Sequence, residues 1–278
     1  METKRKIPTA KSNFEKETAM EIIQLWDNIP GYEQGHHSPY LKYFKAENKK
    51  GRGTVVILPG GGYAMRAEHE GDGYARFLNS LGLDCFVMEY RVSPTRFPYP
   101  LLDARRAMRY VRANAEKYGV DPEKIAIMGS SAGGHLAEMT AVYREKLDGE
   151  GYDALDEVCH IPNAQILCYP VTDFDSHNGS YKNLLGEKYL EMMESVNPIA
   201  IAPTDTPIAF IWHTEPDATV KVESTMKYAA KLHSLNVRCE LHVYPDGKHG
   251  LGIASGNPIV SRWTRDLEFW LHLQGYID

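Results

Sequence analysis

The chain has 278 residues and a net charge of −6, with 43% hydrophobic and 24% charged residues, ordinary proportions for a globular protein. That length can bury a sizeable core without covalent staples. The acidic balance disfavours a nucleic-acid partner, which needs a basic face, and no apolar run approaches the ~18 residues of a membrane span.

Taken in chain order, residues 21–26 and 40–44 predict two antiparallel strands at one sheet edge. Lys49, Lys50 and Arg52, with Gly51 and Gly53, read as the solvated tip of a hairpin loop, as Lys4, Arg5 and Lys6 read as a solvated terminus. From residue 54 onward, short β-branched runs alternate with stretches of helical period. Strands are predicted at 54–58, 84–90, 124–128, 164–169, 207–212 and 237–244. Helices are predicted at 71–81, 101–118, 132–144, 220–235 and 259–273. In the second of these, Ala104, Ala107, Met108, Val111, Ala115 and Tyr118 share one face and arginines fill the other. This alternation predicts an α/β fold, a mostly parallel central sheet with helices on both faces, in one domain over 1–278.

Residues 173–206 interrupt the alternation with one helix candidate, 188–194, between polar turns. That is longer than a connection requires, and it predicts a small cap insertion, with a plain loop excursion as the alternative. Cys85, Cys159, Cys168 and Cys239 are scattered without a C-x-x-C pair, as expected of reduced thiols. Residues 1–11 are charged and lack the apolar stretch of a signal peptide. A cytoplasmic location is the corresponding expectation.

The chemistry gathers at three loops. Gly129-Ser130-Ser131-Ala132-Gly133 is a G-x-S-x-G placed between a strand and a helix, the context a nucleophile elbow requires. Ser131 is the expected nucleophile, and Ser130 part of the turn. Pro59-Gly60-Gly61-Gly62-Tyr63 follows the first parallel strand, where side-chain-free backbone N–H groups can approach an oxyanion. Gly61 and Gly62, with Ala132 as a third donor, are the expected oxyanion hole. His249 follows the last strand and is the expected general base. Asp217, after strand 207–212, is the expected acid, with Asp173 as its main rival and Glu215 close by. The order Ser131, Asp217, His249 is that of α/β-hydrolases.

Among the other histidines, His36, His37 and His177 read as surface-loop residues and His135 as packed or solvated. No metal-ligand cluster is apparent, so neither a metal nor a cofactor is expected.

The sequence resembles the compact bacterial α/β-hydrolases that include acetyl xylan esterases, lipases and carbohydrate esterases. The resemblance rests on Leu58 to Tyr63, His69-Glu70-Gly71, Tyr90 to Pro94, Gly129 to Gly134, Gly179 to Gly186 and Gly247 to Gly252. It implies the α/β-hydrolase fold and a Ser-His-Asp deacetylase of acetylated sugars, without metal or cofactor. It also supports Asp217, because His213 to Val220 reproduces the family's H-T-x-x-D-x-x-V stretch, although Lys221 stands where proline usually follows. The expected partner is a small ester substrate, an acetylated sugar, and a homo-oligomer is compatible with the sequence. A general short-chain carboxylesterase or lipase-like enzyme is the alternative. A serine peptidase or an inactive binding module are weaker ones.

Overall fold

The structure is a computed structural model that describes residues 20–278; the basic Lys4–Lys6 group and the segment 1–11 lie outside the described residues. Among the described residues, eight strands form one sheet: β1 (Glu21–Gln24), β2 (Tyr40–Phe44), β3 (Thr54–Leu58), β4 (Asp84–Glu89), β5 (Ile125–Ser130), β6 (Ala164–Cys168), β7 (Ile208–Thr214) and β8 (Cys239–Tyr244). The helices are α1 (Glu68–Ser80), α2 (Tyr99–Ala113), α3 (Ala115–Tyr118), α4 (Ser131–Val142), α5 (Asn178–Leu185), α6 (Tyr189–Met192), α7 (Pro198–Ile201), α8 (Val222–Ser234) and α9 (Trp263–Leu273).

The strand order is β1-β2-β4-β3-β5-β6-β7-β8, with β2 antiparallel to both its neighbours, β1 and β4, and every other pair parallel. This is the mostly parallel α/β sheet that the alternation predicts, in the α/β-hydrolase architecture that the resemblance implies.

The period-2 side-chain alternation of the inner strands divides the core into two layers. Val55, Ile57, Val87, Ala126 and Met128 pack on Tyr74, Leu78, Trp263, Leu267 and Leu271 of α1 and α9. Val56, Leu58, Phe86, Met88 and Ile127 face the opposite way, toward Leu101, Met108, Leu136 and Leu232 of α2, α4 and α8. With both faces covered, β3 to β7 read as near-continuous apolar runs. The loops at the carboxyl ends of these strands are left free to carry a site.

Three expectations need correction. The Lys49–Gly53 segment is not a hairpin tip, because β2 pairs with β4 and not with β3. Lys49 is drawn inward, its Nζ 2.7 Å from Asp84 Oδ2 and 2.9 Å from the Tyr118 carbonyl. The predicted helix 101–118 breaks at Asn114 into α2 and α3. On its arginine face, Arg105, Arg106 and Arg109 are buried against Glu150, Asp153 and Asp156. The 173–206 segment carries three short helices, α5 to α7, rather than one. α5 is eight residues long and polar at its start, and is held by the His177 side chain accepting from the Ser180 N–H; so short a polar helix leaves no periodic signature.

All four cysteines are free thiols. No helix among the described residues is long and apolar enough to cross a membrane.

Candidate active site

Ser131 sits where β5 turns into α4 and adopts φ 52°, a left-handed backbone that a non-glycine residue takes only when its surroundings enforce it. The turn is made tight by its glycines. A Cβ on Gly129 would lie 2.1 Å from the Gly133 carbonyl oxygen, and one on Gly133 would lie 2.1 Å from the Leu58 carbonyl oxygen. The serine side chain is thereby presented at the amino end of α4, where the helix dipole favours negative charge.

His249 Nε2 lies 2.9 Å from Ser131 Oγ, and His249 Nδ1 lies 2.7 Å from Asp217 Oδ2. A carboxylate can only accept, so Nδ1 carries the proton and Nε2 offers its lone pair to the serine hydroxyl. Asp217 Oδ1 accepts the N–H groups of Thr219 at 2.8 Å and Val220 at 3.0 Å. Burial opposes ionisation of Asp217. Hydrogen bonds from His213 and His249, with that of the Val220 N–H, nonetheless hold its carboxyl well below the usual carboxylate range.

His213 is the residue that sequence reasoning passes over. It is fully buried, with Nδ1 2.8 Å from Thr225 Oγ1 and Nε2 3.1 Å from the Val220 carbonyl and 3.3 Å from Asp217 Oδ2. The carbonyl can only accept, so Nε2 is the donor and Nδ1 accepts from the threonine hydroxyl. Asp217 is therefore held between two imidazoles. The signal in the sequence was the histidine of the H-T-x-x-D-x-x-V stretch.

The glycine loop lies alongside the serine: a Cβ added to Gly60 would come within 3.1 Å of Ser131 Cβ. Gly61 has φ 133° and Gly62 φ 64°, both open only to glycine or to strained residues. The Gly61 carbonyl accepts from the N–H groups of Ala64 and Met65, and Asn183 Nδ2 donates to the Gly62 carbonyl at 2.8 Å. Ala132, in the first turn of α4, has an N–H that the helix itself leaves unpaired.

Asp173 and Glu215 are not brought to His249. Asp173 accepts the Ser176 N–H at 2.8 Å and pairs with Lys227 at 3.3 Å, and Glu215 is exposed. His135 is packed, with Nδ1 2.7 Å from the Tyr63 hydroxyl and Nε2 2.8 Å from the Val196 carbonyl. His177 is not a surface residue. Half-buried at the start of α5, it is kept below the ordinary histidine range by burial and by the neighbouring His249, with Asp217 opposing. Tyr63, Tyr90 and Tyr169 are at most 1% exposed, so none offers an open ring to a sugar. Among the described residues, no three His, Cys, Asp or Glu side chains group as metal ligands.

A family model described as BD-FAE matches residues 42–232. The chain is 33% identical over 255 residues to endo-1,4-beta-xylanase B of Butyrivibrio fibrisolvens, covering 86% of this chain and 39% of that protein. It is 32% identical over 239 residues to an acetylxylan esterase of Xylanibacter ruminicola, covering 82% of this chain and 47% of the relative. The chain thus spans less than half the length of these curated relatives. Among solved structures it resembles the acetyl ester-xyloside bifunctional hydrolase of Caldicellulosiruptor lactoaceticus, with TM-score 0.87 and 37% identity over 93% of this chain and 97% of the other. Esterase 2 of Thermogutta terrifontis shares the fold, with TM-score 0.76 and 23% identity over 93% of this chain and 96% of that one.

Proposed function

The chain belongs to the BD-FAE family, and on that premise we propose that it is a carboxylic ester hydrolase that removes acetyl groups from carbohydrate by a Ser-His-Asp mechanism. The observation that carries the reading is the continuous line from Ser131 Oγ through His249 to Asp217, at 2.9 and 2.7 Å. His249 Nε2 takes the serine proton as Ser131 attacks the ester carbonyl, and the sugar alcohol leaves with that proton. Water then attacks the acyl-enzyme by the same route and releases acetate. The N–H groups of Gly61, Gly62 and Ala132 are assigned to the oxyanion, and Asp217 to the orientation and electrostatic support of the imidazole. Residues 173–206 are read as a small cap on a single catalytic domain.

The acetylxylan esterase and the acetyl ester-xyloside hydrolase among the similar proteins support acetyl as the acyl group and xylose units as the alcohol. Glycoside cleavage asks for two carboxyl groups facing each other across the scissile bond. Asp217 is engaged by two imidazoles, and Glu70 by the Gly60 N–H and the Tyr169 hydroxyl. Neither is free to protonate a glycosidic oxygen.

The test is a substrate panel on wild type and Ser131→Ala. Wild-type kcat/KM on p-nitrophenyl esters should peak at acetate or propionate and fall beyond butyrate. Acetylated xylo-oligosaccharides should release acetate faster than insoluble acetylated xylan. Ser131→Ala should lower kcat by about 10⁶-fold with its circular dichroism unchanged. A variant that keeps a few per cent of turnover removes the nucleophile assignment. Octanoate outrunning acetate, with no acetate from any sugar, would make this a lipase-like carboxylesterase.

A further inference from the structure

We propose that Glu70 is a positioning residue that locks the oxyanion loop, the serine turn and the histidine loop into one register, an inference that rests on the Ser131–His249–Asp217 reading. Its carboxylate is 4% exposed, and among the described residues no lysine or arginine pairs with it. The one cationic candidate is His69, 3.8 Å away and 59% exposed. Its close partners are instead hydrogen-bond donors from the loops of the site. The Gly60 N–H donates to Oε2 at 2.9 Å, and the Tyr169 hydroxyl donates to Oε1 at 2.7 Å.

The direction of the remaining bonds follows from counting protons. Tyr169 gives its single hydroxyl proton to the carboxylate, so its oxygen must accept everything else. It accepts the Gly252 N–H at 3.0 Å and the Tyr74 hydroxyl at 3.1 Å. Tyr74, having donated, accepts from Ser130 Oγ at 2.9 Å. Burial pushes the Tyr74 and Tyr169 phenols well above their ordinary range, so both keep the protons this chain needs. The bonds therefore run one way, from Ser130 through Tyr74 and Tyr169 to Glu70, and a carboxylate is the group that can end such a run.

The three ends of the network are placed where position matters. Gly60 immediately precedes Gly61, Ser130 immediately precedes Ser131, and Gly252 lies three residues past His249. Space is tight at the first: a Cβ on Gly60 would lie 2.3 Å from Glu70 Oε2 and 3.1 Å from Ser131 Cβ. The Gly60 backbone thus lies against both the carboxylate and the serine turn. Tyr63, Ser131 and Tyr169 are non-glycine residues at φ 57°, 52° and 38°. Strained backbone of this kind persists only when its neighbours hold it, and Glu70 with its hydroxyl chain ties the segments that carry all three.

The experiment uses the full chain and p-nitrophenyl acetate, with active sites counted by fluorophosphonate titration so that kcat refers to competent molecules. Glu70→Ala should lower kcat about 10²-fold with KM within about threefold, the scale of losing an oxyanion donor or displacing a catalytic group by about 1 Å. Glu70→Gln keeps an acceptor for the Gly60 N–H and should recover part of that loss, ending about tenfold below wild type. Tyr169→Phe, which cuts the link to Gly252 and Tyr74, should also fall by about tenfold. If Glu70→Ala does not fold, the near-isosteric Glu70→Gln and Tyr169→Phe decide the matter. The proposal is overturned if both keep kcat within about threefold while only the melting temperature drops, or if the loss appears in KM alone. Ser131→Ala run beside them separates the two ideas. If it stays active, the triad reading fails. If it is inactive while the Glu70 and Tyr169 variants match wild type, the triad stands and the positioning role falls.

Discussion

The network around Ser131 and the network around helix α2 are both buried, yet only the second is built on fixed positive charge. On α2, Arg105 and Arg109 meet Glu150 at 3.0 and 2.9 Å, Arg106 meets Asp153 at 2.5 Å, and Arg109 meets Asp156 at 3.1 Å. Guanidinium groups do not release protons near neutrality, so these pairs can define shape and little else. Around Ser131 the donors are hydroxyls, imidazoles and backbone N–H groups, and the carboxylates of Asp217 and Glu70 are satisfied by them. Imidazole and hydroxyl can exchange a proton at small cost. Burial thus serves two ends, and the identity of the donors distinguishes them.

Exchanging a carboxylate for its amide probes both networks with the same perturbation. Asp217→Asn should lower kcat by roughly 10³ to 10⁴-fold, because the amide would impose the wrong histidine tautomer. Asp173→Asn and Glu215→Gln should each cost less than about tenfold, since neither contacts His249. Steady-state kinetics on p-nitrophenyl acetate decides this, and a large loss at Asp173 in place of Asp217 would move the acid to the loop after β6. Because the Asp217 carboxyl is held below its ordinary range, its contribution to stability is complete above the unfolded carboxylate pKa of about 3.9. That contribution is lost only as the pH falls further, through the folded value.

The matching change on α2 should do the reverse. Glu150→Gln leaves Arg105 and Arg109 buried without their shared counter-charge, a loss of about 3 kcal/mol. In a chain of this size that is a fall in Tm of roughly 6–12 °C. Turnover per titrated active site should stay within about twofold of wild type. A variant with normal Tm and impaired kcat would erase the distinction between the two networks.

How much of this is legible in the sequence depends on how local each feature is. Ser131 and His249 stand out as candidates because strand–turn–helix and the loop past the last strand are contiguous patterns, and their side chains lie together with Asp217 in the structure. The strands from residue 54 onward fall within a few residues of their predicted bounds, because buried parallel strands are nearly continuous apolar runs. Periodicity sets the α2 arginines on one face without saying what returns to cover them. The covering acids lie some forty residues later. Glu70 is visible in the motif His69-Glu70-Gly71, but its role emerges only when residues 60, 70, 169 and 252 meet in space.

The smallest expected effect concerns a neutral histidine in each region. Burial draws His135, beside the glycine loop, down to about 4. Burial first, and then Arg105 and Arg109 among other arginines, draws His160 down to about 2. Both start from an ordinary value of 6.5. In the unfolded chain they take up a proton near that value, while in the folded chain they stay neutral. The unfolded state therefore binds more protons below pH 6.5, and stability must fall with pH there. For His135 the contribution is complete above 6.5 and is lost as the pH drops to about 4, a difference on the order of 3 kcal/mol. This window lies above the one set by Asp217, so the two can be read separately. Thermal melts between pH 7.5 and 4.5 should show wild type losing Tm steadily. His135→Gln should start lower at pH 7.5, having lost the imidazole between Tyr63 and Val196, but should fall less steeply. His160→Gln should flatten the same stretch without touching the Tyr63 contact. Identical slopes in all three proteins would mean that neither histidine is kept neutral by the fold, and that the acid sensitivity of both networks resides in their carboxylates.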